Sequence, residues 1–494
     1  MNRKIVLNQP SLSCTQIWEI SLGAHLEVSP DLLKKMNRNA AQCGENSNIL
    51  ASKRHWLTGF SSSTDGDLRK AFILGHCAGV GPAFPKQIVR AAMAARINVL
   101  LSGVTGSRGI VVEKLLELLN KDMIPTVPSQ GSVGAAGDLA PMAHIARTLC
   151  GYDGGHPNYT PLIPTDKEAL ALINGVSLST AIAAIAIVRT EKIFDASIIA
   201  AGLSMEVVRA QSQCLDPRAL EVRQHPEVAE VGSILRNILR DSQRVLGSNK
   251  PDAFSIRAGP SVLGAILRTL RFAKEEITRE LNGVSDNPLL FNNENTSQDD
   301  CDGGWEGDWE GDWVEAGNFH GASVAMAMDH LKTALAQLAT LCERRIFRLT
   351  HGKLSNNLPS FLVQGTGLNS GFMLAQYTAA ALASEVKGYS HPASADSIPT
   401  VQHHEDHVSM APIAARHALK GLECVADIVA IELLVGAQAL DLRFQDDGLP
   451  APLVLQCVHD EIRKKVPFWN DDNVLHPAIS AMSEWVRQGI VLNH

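Results

Sequence analysis

The rhythm of apolar and polar positions changes about a third of the way along the chain. Residues 1–60 are polar and mixed. From Gly66 to Asn120 helical signals alternate with glycine-rich turns such as Gly79-Val-Gly-Pro82 and Gly103-Val-Thr-Gly-Ser-Arg-Gly109. Gly131-Ser-Val-Gly-Ala-Ala-Gly-Asp-Leu-Ala-Pro141 reads as a loop running into an apolar helix. Beyond Asn174 apolar residues recur at helical spacing over roughly 178–215, 257–283, 320–350, 370–388 and 408–442, with Ala-rich flanks. These stretches are apolar over wide arcs, so they predict helices buried in a bundle or at subunit contacts. Little of the chain reads as strand. The expected fold class is therefore mainly α. Three regions follow: 1–175, a mixed helix and loop region; 176–445, a bundle of long helices; and 446–494, a helical cap.

One segment breaks the pattern. Residues 292–316 are acidic and repeat Trp-Glu-Gly-Asp. The spacing does not match a calcium loop, and a solvated insertion is the simpler expectation.

Composition sharpens this picture. Of 494 residues, 45% are apolar but only 5% aromatic, with 13 Phe, 7 Trp and 4 Tyr. Ala, Leu, Val and Ile thus dominate, which suits close helix packing. The net charge of −8 and the lack of a basic run argue against a nucleic-acid partner. The nine cysteines are scattered, odd in number and without a CxxC pair, as expected in a reducing compartment. No apolar run approaches the ~20 residues of a membrane span. A soluble, cytoplasmic protein is expected.

Two glycine-rich stretches invite a phosphate reading and fail it. Gly365-Thr-Gly-Leu-Asn-Ser-Gly371 has Ser370 at the third glycine position of GxGxxG, and Gly131–Gly137 lacks the Lys-Ser/Thr of a P-loop. His403-His404-Glu405-Asp406-His407 is dense in metal-ligand types. His403 and His407 stand four apart, but Glu405 does not follow the first His as in zincins. A metal there is a weak expectation, and a polar edge opening the next helix is the stronger one.

Taken together, the motifs resemble the histidine and aromatic amino acid ammonia-lyases. Gly131–His144 resembles the family signature. Matches follow in family order at Gly75–Gly81, Leu172–Gly175, Phe254–Arg257, Val284–Pro288, Gly317–His320, Asn369–Met373, His391-Pro392, Asp396–Pro399 and Glu405–Met410. His76 and Glu405–Met410 look closer to the histidine branch. The resemblance implies a central bundle of long helices and a homotetramer whose active sites draw on three subunits. It further implies ammonia elimination from an L-amino acid. The electrophile would be methylidene-imidazolone, formed from an internal Ala-Ser-Gly.

Here that triad is Ala135-Ala136-Gly137. Alanine at 136 has no β-leaving group, so the methylene cannot form by dehydration, and the expected cofactor set is none. The family's catalytic tyrosine matches Arg54, a nearby Asn matches Leu57, and a second tyrosine matches Phe254. Resemblance also makes Arg257 the carboxylate binder, a role that suits a guanidinium fork. Asn174 and Phe319 match pocket positions, as do His76 and Glu405, which can do acid–base work. His403 and His404 stand where the histidine branch has Asn-Gln, and His404 is a candidate proton donor. The leading expectation is an enzyme without methylidene-imidazolone acting on an amino-acid-derived carboxylate, plausibly in specialised biosynthesis. Two others stay open: a histidine-type lyase silenced by a Ser-to-Ala change at 136, and a non-catalytic scaffold.

Overall fold

A computed structural model describes residues 3–42, 67–155, 157–246, 251–291 and 313–490. Arg54, Leu57 and most of the acidic insertion lie outside these.

Long helices dominate, as the apolar periodicity predicts: Ser177–Val207, Gly259–Asn282, Ala322–Thr350, Met373–Tyr389 and Ala411–Asp447. Their sequences explain their burial. The first part of Ser177–Val207, up to Val188, has no charged residue on any side, and Ala181, Ile182, Ala183, Ala184, Ala186 and Ile187 are fully enclosed. Such a helix is stable only when covered on all sides, and alanine gives it high intrinsic propensity.

The first of these helices ends earlier than its apolar pattern implies. The pattern runs to 215, yet the helix stops at Val207. Arg209 turns into the left-handed region (φ 54°), and the Ala210 amide donates back to the Met205 carbonyl at 2.9 Å. A 3-10 turn over Ser212–Leu215 follows. The apolar residues beyond 207 belong to that turn, which periodicity alone does not distinguish from continuing helix.

Among the described residues the strands form two-stranded ribbons only. Lys4–Leu7 pairs in parallel with His25–Val28, and Val80–Ala83 runs antiparallel to Pro128–Gln130. The second ribbon matters for the site, since its Pro128–Gln130 strand leads into Gly131.

The chain divides into two compact units. The first comprises Met1–Ile185, Lys274–Met328 and Pro392–Arg416. At its centre Asp286, fully buried, meets Lys167 Nζ at 2.7 Å and Arg96 Nη2 at 3.5 Å. The second comprises Ala186–Ala273, Asp329–His391 and His417–His494. There the buried Glu432 carboxylate accepts from Arg345 Nε at 2.5 Å and Nη2 at 2.9 Å, and from Ser204 Oγ at 2.8 Å. Three helices are thereby joined through one charge.

The seven described cysteines are free thiols. Among the described residues no helix is long and apolar enough to cross a membrane.

Candidate functional site

The first unit gathers most of the matched motifs around the Gly131–Gly137 loop. Three of them touch it directly, through Gly79, Gly175 and the Val408–Met410 segment. Gly131 lies so close to Gly79 that a Cβ on Gly131 would stand 2.8 Å from the Gly79 Cα. On the far side the Met410 amide donates to the Val133 carbonyl at 2.9 Å, and Ser409 Oγ donates to the Gly134 carbonyl at 3.0 Å. Ala135 packs against Val408 and Met410.

The Ala135-Ala136-Gly137 triad is pinned from below by Asn174-Gly175. The Gly175 amide donates to the Ala136 carbonyl at 3.1 Å, and the Asp138 amide to the Gly175 carbonyl at 2.8 Å. No side chain fits between the strands of this contact. A Cβ on Gly137 would sit 2.1 Å from the Gly175 oxygen, and one on Gly175 would sit 1.9 Å from the Ser285 oxygen. Both residues have positive φ, 93° and 80°, a region glycine enters at little cost. Asn174, itself buried, donates from Nδ2 to the Asn287 carbonyl at 3.0 Å. Asn287 Oδ1 in turn accepts from the Ala316 amide at 2.7 Å, just ahead of Asn318 and Phe319. The Asn174 Oδ1 is buried without a partner among the described residues.

Asp138 carries a role that the sequence reading misses. It precedes the Leu139–Leu149 helix, yet its side chain makes no cap bond there. Instead it accepts from the Ser179 amide at 2.7 Å and the Ser179 hydroxyl at 2.6 Å, capping the Ser177–Val207 helix. Full burial pushes its carboxyl up to about 6, against the pull of the Ser179 bonds. Glu280 is raised to about 7 by burial, with the Asp138 charge adding to the effect. The available signal was an Asp between a glycine loop and an apolar helix, a position that marks helix starts.

The titratable candidates fall into two places in this unit. His76 ends the Leu68–His76 helix and is half-buried. Its Nδ1 lies 2.7 Å from the Phe72 carbonyl. A carbonyl only accepts, so Nδ1 carries the proton and Nε2 keeps a lone pair for use as a base. Glu405 closes a turn with Thr400: the Thr400 amide donates to the Glu405 carbonyl at 3.0 Å, and Thr400 Oγ1 donates to Glu405 Oε2 at 2.6 Å. Among the described residues no hydrogen bond or ion pair joins His76 to Glu405. His403 and His404 are exposed in the same turn. His407 pairs with His320 rather than with His403, Nδ1 to Nε2 at 3.4 Å. His320, next to the half-buried Phe319, is a second residue missed in the sequence. Among the described residues no group of three or more His, Cys, Asp or Glu could hold a metal ion.

Arg257 and Phe254 lie on the short Phe254–Arg257 helix of the second unit. Both are exposed, with the guanidinium 5.1 Å from the ring centroid. Among the described residues no carboxylate pairs with Arg257.

The triad does not fit a methylidene-imidazolone. That group requires a serine hydroxyl at its central position, and Ala136 has none. The hydroxyls around it are committed elsewhere: Ser409 to the Gly134 carbonyl and Ser179 to Asp138.

Comparisons with known proteins converge. The family model for aromatic amino acid lyases matches residues 12–464. A histidine ammonia-lyase of Geobacillus thermodenitrificans is 42% identical over 431 residues, covering 84% of this chain and 81% of that protein. Among solved structures, histidine ammonia-lyase from Trypanosoma cruzi superposes with a TM-score of 0.83 at 33% identity, covering 98% of this chain and 93% of that one. The tyrosine aminomutase from Streptomyces globisporus superposes at 0.86 with 29% identity, covering 98% and 97%.

Proposed function

The chain belongs to the aromatic amino acid lyase family, close to histidine ammonia-lyase, and from that premise we propose an enzyme that works without methylidene-imidazolone. Its substrate is an amino-acid-derived carboxylate. Its reaction is proton transfer next to that carboxylate, as elimination or as the reverse addition. The observation that carries this reading is the Ala135-Ala136-Gly137 loop. The triad is held by the Gly175 amide on the Ala136 carbonyl, and position 136 lacks the hydroxyl that the family chemistry consumes.

The remaining groups support acid–base and electrostatic catalysis. Arg257 binds the carboxylate as a planar fork. His76 Nε2, left basic by the Phe72 bond, takes the proton. Glu405 has one oxygen held by Thr400 and the other without a partner among the described residues, and acts as the second acid–base group. Arg54 stands where the family has its tyrosine and stabilises negative charge developing on the substrate. His404 supplies a proton to the leaving or accepting atom. Asn174 offers its unpartnered Oδ1 to a substrate N–H, and Phe319, Phe254 and Leu57 match pocket positions of the family in sequence. The working assembly is a homotetramer with sites shared between subunits.

The test is a substrate panel of amino acids and their unsaturated acids, assayed with the natural chain and with Glu405→Gln, Arg54→Ala and Ala136→Ser. Turnover by the natural chain that falls at least tenfold in the first two variants supports the reading. Histidine deamination that appears only in Ala136→Ser would favour a silenced histidine-type lyase, a second reading supported by the 42% identity to such an enzyme. Binding without turnover in every variant would favour a scaffold.

A further inference from the structure

A cavity of about 900 Å³ is lined by none of the candidate site residues. It lies within the first unit, between the Lys121–Pro128 segment, the Leu139–Leu149 helix and the Asp153–Tyr159 loop. Its volume falls in the usual range of ligand pockets, roughly 300–1,000 Å³.

An account of its charged walls leaves one group unspent. Asp122 is held by Lys86 Nζ and by Arg90 Nη1, each at 3.1 Å. Lys121 pairs with Glu117 at 2.8 Å. The Asp153 carboxylate accepts from the Thr148 hydroxyl at 2.6 Å and the Gly155 amide at 3.2 Å. Arg147 has no carboxylate partner among the described residues. It acts electrostatically on Cys77, but burial pushes that thiol up, so it stays protonated and offers no charge. A half-buried guanidinium facing a cavity with its donors unused is a site for one carboxylate in two-point contact.

The rest of the wall is mixed, with Thr126, Thr148 and Asn158 beside apolar residues. Leu118, Ile124 and Pro125 face the space together with the Tyr159 ring, whose hydroxyl is already committed to the Leu149 carbonyl at 2.9 Å. We infer that this cavity is a binding site for an amphipathic monocarboxylate, its carboxylate on Arg147 and its apolar body against the half-buried Met123 and Ile124 and the edge of the Tyr159 ring.

The site is placed to be felt by the candidate catalytic segment. His144, which lines the cavity, sits with Nε2 3.0 Å from the Ala78 carbonyl, between His76 and Gly79. Pro128, also lining, begins the strand that leads into Gly131. An occupant therefore lies against residues next to the start of the Gly131–Gly137 loop. This inference does not depend on the functional reading above.

The experiment is isothermal titration of the full chain with 3-phenylpropionate, with inorganic phosphate as a plain-anion arm. Saturable binding is expected, weakened at least tenfold by Arg147→Ala and by Thr126→Trp, which fills the cavity from an exposed lining position. Arg257→Ala should leave it unchanged. Circular dichroism melts confirm that the variants are folded. Binding unaffected by both Arg147→Ala and Thr126→Trp would overturn the site. So would binding lost in Arg257→Ala instead, equal competition by phosphate, or no saturation up to roughly 10 mM.

Discussion

The Gly131–Gly137 loop and the Thr400–Glu405 turn both carry candidate chemistry, and they are held in opposite ways. The loop is fixed by its backbone. Carbonyls of Val133, Gly134 and Ala136 each accept a bond from another segment, and the glycines at 137 and 175 let two backbones meet where no side chain fits. The turn is fixed chiefly within itself, by Thr400 through its backbone and its hydroxyl and by the His404 amide on the Val401 carbonyl. Its tip, Val401, Gln402 and His403, is exposed and left-handed, with φ of 47°, 53° and 67°. Such angles cost about 1–3 kcal/mol each for residues other than glycine. The contrast shows how a fold can change chemistry. None of the described hydrogen bonds that shape the loop involves the side chain at 136, so the scaffold does not depend on which small residue stands there. At the turn it is the side chains, under the proposed function, that would act, and the fold asks little of them.

The largest expected effect lies at the pinned end of this contrast. Gly175→Ala puts a methyl 1.9 Å from the Ser285 carbonyl at a φ of 80°. Both faults act together, and the loss should exceed about 4 kcal/mol, the range of severe core lesions. Soluble yield and urea unfolding would measure it. A well-folded variant with an unchanged midpoint would show that the loop is not held through Asn174-Gly175.

A smaller effect, readable as pH dependence, concerns the cap beneath the loop. The Asp138 carboxyl rises from 3.8 unfolded to about 6 folded. A raised carboxyl binds its proton more tightly in the folded state, so its contribution favours folding most below pH 3.8 and is lost as pH climbs toward 6. At about 1.4 kcal/mol per unit this amounts to roughly 3 kcal/mol. Glu280, raised to about 7, extends the decline in the same direction. In Asp138→Asn the amide can still accept from the Ser179 amide, and the slope of unfolding free energy between pH 4 and 6 should flatten relative to the natural chain. Parallel slopes would mean that Asp138 does not carry that proton.

Much of the fold was legible because buried helices write themselves as long apolar runs. All five runs read beyond Asn174 correspond to helices, and the overshoot to 215 came from apolar residues that a left-handed Arg209 diverts into a 3-10 turn. The loop was legible through its glycines, which mark close approach. Two features were not. Asp138 caps a helix 39 residues on, and local patterns cannot show which helix an aspartate serves. His320 and His407 meet from segments 87 residues apart, while the sequence placed His407 with its neighbour His403. Periodicity reports the environment of one residue at a time, and pairing across the fold has no period.

At the loosely held turn, Thr400→Val removes one hydroxyl from a half-exposed carboxylate. A single such bond contributes about 0.5–1.5 kcal/mol, and exposure places this one at the low end. Thermal unfolding should barely move. Turnover should fall more, since Glu405 would lose the contact that orients it. Equal losses in stability and turnover would make the turn a structural element after all.

The smallest effect on stability should come from the substitution with the largest chemical meaning. Ala136→Ser adds one oxygen to a Cβ already present at a half-buried position. The carbonyl of 136 keeps its bond from Gly175, and no backbone angle has to change. Surface-like substitutions of this kind usually stay within about 0.5 kcal/mol, and that is the shift expected in urea unfolding. A loss of several kcal/mol would mean that the loop has closed over the space the hydroxyl once used. The scaffold would then have followed the chemistry, and the separation drawn between pinned backbone and variable side chain would fail at the very residue that motivates it.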